Sequence, residues 1–229
     1  MGIESCRPGG MYDDFGRGVA FGHVDDTCTI FVGADQTPFM VSKEGVGACD
    51  FLANRVSFTE ELKTHIELDE HSDITAKEFF PLADYLDKGD FEPRLINKGN
   101  LLLRLDGVFL PKERDSAAIA VSKVFLNAAK LWYETLQQLC VDKLKALYPL
   151  SLDALLTVLM IVSRADTHGS EAGEELKDWL TDHIAEFFWS LVEGKGPTFK
   201  RLMYENPETR RRVLEKLGQN SNLGVSMGD

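Results

Sequence analysis

The first strong pattern along the chain is a run of β-branched and aromatic residues over 27–32, followed by a second short apolar run over 38–42. The segment between these runs contains Gly33, a residue type that tight turns use. We therefore predict a β-hairpin. Residues 65–68 alternate between polar and apolar side chains, which predicts a third strand.

Helical patterns follow the strands. Residues 43–55 predict one helix or a pair of short helices, because Gly45 and Gly47 weaken a continuous one. Residues 73–88 predict a longer helix, and Gly89 stands where a glycine commonly ends a helix.

The second half of the chain repeats its hydrophobic residues with a period of about 3.6, which predicts a run of helices. Ser116 and Ser151 precede two of them, where a serine hydroxyl can cap the first turn. The predicted helices cover residues 117–131, 134–147, the rest of the apolar run 150–162 after Ser151, 176–191 and 207–217. Before them, residues 92–115 predict a loop or insertion. Residues 1–22 predict a flexible arm, and residues 218–229 a disordered tail.

Composition and charge exclude several classes of protein. The chain has 229 residues, of which 44% are hydrophobic, so it can bury a core. A net charge of −12 disfavours direct nucleic-acid binding, which needs a basic surface, and an anionic membrane would repel the chain. The longest hydrophobic run, residues 150–162, is shorter than the ~20 residues of a membrane span. We predict no signal peptide, because residues 1–18 lack an apolar stretch.

The four cysteines are scattered and form no C-x-x-C pair, which is typical of reduced, buried thiols in a cytoplasmic or nuclear protein. They are Cys6, Cys28, Cys49 and Cys140. The five histidines are equally dispersed, and a G-x-S-x-G match at residues 224–228 lacks the strand and helix that a nucleophile elbow requires. We therefore predict no catalytic, metal or cofactor site.

Two charged segments leave alternatives open. Residues 60–92 contain 11 acids against 3 bases, which is consistent with a solvated face or with an acidic docking surface. The run Arg210–Arg212 lies near Glu205, Glu208 and Glu215. It is interpreted as a source of ion pairs on a helix surface rather than as a nucleic-acid site.

Several motifs, in a fixed order, resemble those of a known interaction domain. Residues 29–43 resemble its opening hairpin, and residues 48–52 its first helix. The segment 79–91, which ends in Tyr-Leu-Asp-Lys-Gly-Asp-Phe, is similar to the pattern F-x-x-x-x-x-Y-L-Y-T-G-D-Y. Residues 124–131 and 136–144 are similar to V-Y-x-L-A-D-K-Y and L-K-x-L-A-x-x-K-L. The family is the BTB/POZ domain, in the small fungal form that carries a C-terminal helical extension.

The resemblance implies an α+β fold with a small β-sheet and helical cluster, followed by an all-helical extension. The BTB/POZ domain would cover residues 23–148, with 92–115 as an insertion, and the extension residues 149–217. It further implies a non-enzymatic protein–protein interaction module that forms homodimers. Such a module serves as a substrate adaptor for a cullin-RING ubiquitin ligase. The alternative is a transcription, chromatin or assembly scaffold that dimerises without binding a cullin.

The resemblance also implies candidate site residues. Asp26 and Lys43 would form an ion pair across the dimer. Phe58, Glu60 and Leu62 would contact a cullin, since they match a hydrophobic-x-Glu signature; in the alternative interpretation, Phe58 is a core residue. The expected partners are proteins, with no cofactor, nucleic acid or membrane.

Overall fold

The computed structural model describes residues 26–58, 63–68, 73–96, 104–167 and 169–225, with side chains described to residue 218. The strands in this part of the chain are β1 Thr27–Val32, β2 Thr37–Ser42, β3 Ser57–Phe58, β4 Thr64–Leu68, β5 Leu95–Ile96 and β6 Arg104–Leu105. The helices are α1 Lys43–Gly47, α2 Asp50–Ala53, α3 Ala76–Lys88, α4 Pro111–Lys130, α5 Glu134–Leu147, α6 Leu152–Val162, α7 Glu171–Glu186, α8 Phe188–Glu205 and α9 Pro207–Val225. The α+β prediction is confirmed.

The main sheet has the strand order β2-β1-β4-β3. Strand β1 pairs antiparallel with β2, which confirms the hairpin, and parallel with β4, which confirms the third strand. A parallel pair needs a crossover, and α1 and α2 lie within it. The short strand β3, which the pattern did not predict, adds to the other edge of β4.

One face of the sheet forms the core of this part of the chain. Cys28, Ile30 and Val32 alternate with half-buried residues along β1, as expected for a strand that buries one side. Strand β2 is at an edge of the sheet and contains Pro38. Proline is tolerated there because an edge strand does not need every N–H group for the ladder.

Helix α1 approaches the backbone of α3 very closely. The Ser42 hydroxyl caps α1 by accepting from the Gly45 N–H group, and it donates to the Leu86 carbonyl at 3.0 Å. A Cβ atom at Gly45 would lie 1.8 Å from the same carbonyl oxygen. Only glycine therefore permits this crossing of the two helices.

Helix α3 has clear start and stop signals. Thr75 and Glu78 form a capping box, and their hydrogen bonds hold the pKa of the Glu78 carboxyl below its ordinary value. Gly89 ends the helix with a φ of 71°, a left-handed conformation that glycine adopts readily. The predicted helix over residues 73–88 is confirmed, with its first turn at Ala76.

The predicted loop over residues 92–115 is wrong at both ends. Residues 95–96 and 104–105 pair as β5 and β6, and α4 begins at Pro111 rather than after Ser116. Proline suits the first turn of a helix, and the Glu113 carboxylate accepts from the N–H groups of Phe109 and Leu110. The sequence pattern missed the first residues of α4, because residues 112–116 are polar and show no helical repeat of apolar side chains.

The C-terminal helices pack into one continuous core with the sheet and α3. Residues 192–206, which the sequence leaves outside the predicted helices, belong largely to α8, which has a kink where Lys195 leaves helical geometry. Helix α9 continues through Gly218 to Val225, so the prediction of a tail from residue 218 is wrong over this stretch. A glycine inside a helix costs only ~1 kcal/mol, which helical neighbours can offset. The arm predicted at 1–22 lies outside the described residues.

A buried lysine joins the segment after α3 to α5. The Lys143 side chain is 0% exposed, and its Nζ atom lies 2.6 Å from Asp90 Oδ1. It also donates to the carbonyls of Phe91 and Pro93 and lies 3.7 Å from the centre of the Phe91 ring. Burial lowers the pKa of Lys143, and the Asp90 carboxylate opposes that shift.

Gly45→Ala should lower the free energy of unfolding by about 3 kcal/mol, because the new methyl group forces α1 away from Leu86. Gly47→Ala is the matched control. It lies on the same helix, and no atom would lie within 4 Å of its Cβ. Urea unfolding followed by circular dichroism measures both variants. Equal stability of the two variants would contradict the close approach.

Asp90→Asn should lower the free energy of unfolding by about 3 kcal/mol near neutral pH, because it leaves the buried Lys143 ammonium without its carboxylate. The pKa of Lys143 is lower in the folded chain than in the unfolded chain. At pH values between these two pKa values, the unfolded chain therefore binds more protons than the folded chain. Stability should therefore rise with pH up to about 10, more steeply in the variant. The exposed Asp87→Asn is the control, and parallel pH profiles of the two variants would refute the role of Asp90.

Candidate interaction surface

Of the three residues proposed to contact a cullin, the structure describes Phe58. Its side chain is 67% exposed at the end of β3, opposite Thr64 of β4. The alternative interpretation of Phe58 as a core residue is therefore wrong. Glu60 and Leu62 lie outside the described residues. A large apolar side chain held in the open by a paired strand is suited to contact with another protein.

Asp26 and Lys43 lie side by side where the hairpin enters and leaves the sheet. The Lys43 N–H group donates to the Asp26 carbonyl at 2.9 Å, which extends the β1–β2 pairing by one step. Asp26 is exposed and Lys43 half-buried. The structure thus connects the two residues through their backbones within one chain, and an ion pair across a dimer stays a prediction.

Two exposed apolar side chains lie near strand β2, one on each face of the sheet. Phe39 points to the helices and packs edge-to-face against Phe79 and Phe80 of α3, with ring centres 5.0 Å apart in both contacts. Phe80 is itself 61% exposed. On the opposite face of the sheet, Met40 is 70% exposed. We call Met40, Phe80 and Phe58 the apolar set of the sheet.

Sequence reasoning missed Met40 and Phe80. The signal was present in the doublet Phe79–Phe80, because neighbouring residues of a helix point about 100° apart, and both face the core only where the apolar face is wide. Phe79 is fully buried and Phe80 is not. For Met40, the alternation along β2 gave the clue, since Phe39 and Val41 face the core.

Much of the described part of the acidic stretch is engaged within the chain. Glu78 caps α3, Asp84 lies 2.6 Å from Lys88, and Asp90 binds Lys143. Glu92 lies 3.1 Å from Arg94. Glu67 is exposed on β4. For these engaged acids the structure favours local roles over a dedicated docking surface.

The helical half has a separate exposed end. Asp115 of α4 accepts from the Ser151 N–H group at 3.0 Å, and Asp153 of α6 binds Lys195 of α8 at 2.7 Å. These contacts bring the starts of α4 and α6 together with the kink of α8. Phe109, which precedes α4, is 81% exposed at this end.

The described cysteines and Tyr133 lie in environments that raise the pKa values of their side chains. Cys28, Cys49 and Cys140 are buried, and burial raises the pKa of each thiol, which disfavours the nucleophilic thiolate. Burial likewise raises the pKa of Tyr133 to about 12. In the part of the chain that the structure describes, no group of three or more His, Cys, Asp or Glu side chains could hold a metal ion.

No protein-family model, curated protein or solved structure matches this chain. Among the helices that the structure describes, none is both long enough and apolar enough to cross a membrane. The function is therefore inferred from the geometry of the exposed surfaces.

Proposed function

We propose that the chain is a non-enzymatic protein–protein interaction module that self-associates through a BTB/POZ-type unit. The observation that carries the proposal is the apolar set of the sheet. Met40, Phe58 and Phe80 expose large apolar side chains on regular strands and a capped helix, which hold them in defined positions. Interfaces are enriched in such side chains because removing them from water favours binding.

The arrangement of the strands and helices supports the BTB/POZ assignment. A hairpin leads through two short helices into a strand parallel to β1, and a helix and then a helical half follow. This order is the one that the resemblance implies. In addition, the contact between Asp90 and Lys143 joins two of the motifs on which the resemblance rests, 79–91 and 136–144.

Within this proposal the chain serves as a substrate adaptor for a cullin-RING ubiquitin ligase in the cytoplasm or nucleus. The exposure of Phe58 supports this role, since a contact residue must be free to enter a groove on its partner. The second candidate is a transcription, chromatin or assembly scaffold that dimerises without a cullin. Exposed Met40 and Phe80 favour it, because they offer apolar contact surface away from β3.

Lys43→Glu should convert a dimer of the chain into a monomer, because it places two negative charges where Asp26 and Lys43 are proposed to pair across the interface. The measurement is size-exclusion chromatography with multi-angle light scattering at several protein concentrations. Lys112→Glu, an exposed residue of α4, gives the same change of charge at a different place. A wild-type monomer at every concentration would refute self-association.

Phe58→Ala should weaken binding to a purified cullin N-terminal domain by at least about tenfold, because a buried aromatic anchor contributes roughly 2 kcal/mol or more. Its stability should stay within about 0.5 kcal/mol of wild type, since the side chain is exposed. Phe109→Ala, which removes an exposed aromatic ring from the helical half, is the control. Dimerisation without cullin binding would favour the scaffold.

A further inference from the structure

Helix α9 contributes little apolar surface to the core. Among its described side chains, to residue 218, only Val213 is buried, and Leu217 is half-buried against the core. The other described side chains are polar or charged, apart from Pro207 and the exposed Leu214. Interactions other than apolar contacts must therefore hold α9 against the rest of the chain.

Those interactions are ion pairs with α7, arranged at matching intervals. Arg212 of α9 binds Glu174 at 2.6 Å and Asp178 at 3.2 Å. One turn later, Lys216 binds Asp182 at 2.7 Å. Three acids spaced four residues apart on α7 thus face two bases spaced four residues apart on α9.

These ion pairs are accessible to salt. The three α7 carboxylates are each at least half exposed, so water and ions reach and screen these pairs, although the Arg212 side chain is only 19% exposed. Arg211 binds Glu208 and Glu215 of its own helix, whereas Arg212 binds Glu208 and also reaches across to α7. These contacts confirm helix-surface ion pairs for two of the three arginines at 210–212.

The first turn of α9 covers a cavity instead of packing tightly. The cavity has a volume of about 190 Å³, with Leu159 and Val162 of α6 and Thr181 of α7 among its walls. Pro207 and Arg212 of α9 line it from the other side. Removing α9 would therefore extend this cavity into a groove with an apolar floor and an acidic rim.

A single residue connects α8 to α9. Asn206 has a φ of −123° and a ψ of 78°, which is outside helical geometry. Its side chain donates to the Leu202 carbonyl at 2.9 Å. Rotation about this one position would swing α9 away from α7 with α8 left in place.

We propose that α9 is a detachable strap, held by charge, that covers a docking site for a basic amphipathic helix of another protein. The occupant is defined by what α9 itself presents to the rest of the chain, which is a cation, a buried apolar residue beside it, and a second cation one turn later. Arg212, Val213 and Lys216 supply this pattern. A partner helix with the same spacing would replace α9 on the acids of α7.

Hydrogen–deuterium exchange of the full chain tests the strap. In the Arg212→Ala/Lys216→Ala variant, amides of residues 207–218 should exchange at least about tenfold faster, and those of α5 should be unchanged. Wild type in 1 M NaCl should show the same selective change, because the screening length falls to about 3 Å. Arg211→Ala, whose ion pairs stay within α9, is the control. Equal protection of α9 in all samples would overturn the proposal.

A fluorescein-labelled peptide with the sequence of residues 206–218 tests the docking site. It should bind the full-length Arg212→Ala/Lys216→Ala variant at least about tenfold more tightly than wild type, in which α9 competes. Asp178→Lys added to the variant should abolish binding, and a scrambled peptide should not bind. Equal binding to wild type and variant would overturn the proposal. So would a larger oligomer of the variant than of wild type in light scattering, since a second copy would then fill the groove.

Discussion

The contact between Lys143 and Asp90 fixes the segment that follows α3 against α5. It places a cation inside the protein, where desolvation disfavours it, and surrounds it with one carboxylate, two carbonyls and an aromatic face. Because the ammonium group has several acceptors at fixed positions, it specifies how the chain after α3 must lie on α5. A buried leucine at this position would fill the space without imposing that direction.

Regular elements with strong periodicity were predictable from the sequence. The hairpin, β4, α3 and α5 have alternation or a 3.6-residue period together with a local start or stop signal, such as Gly89. The start of α4 was missed because residues 112–116 have no hydrophobic period, although Pro111 and Glu113 are residue types that begin a helix. Strand β3 was missed because a strand of two residues is too short to show an alternation of apolar and polar side chains.

The candidate surfaces were less predictable than the fold. Whether Phe58 is buried or exposed depends on the register of β3 against β4, which no local pattern encodes. Two of the three acidic partners of Arg212 lie 34 and 38 residues earlier in the chain, so they could be recognised only once α7 and α9 were packed together. The composition near Arg210–Arg212 indicated ion pairs. It did not indicate that Arg212 binds acids of both α7 and α9, whereas Arg211 binds acids of α9.

The proline in β2 limits the architecture of any assembly. An edge strand with a continuous row of N–H and C=O groups can recruit another chain by backbone pairing, and repetition of that step yields fibres. Pro38 removes a donor from this row. Copies of the chain that meet at this edge must then make contact through side chains such as Met40 rather than through a continuous backbone ladder. This edge of the sheet is therefore a poor template for repeated strand addition.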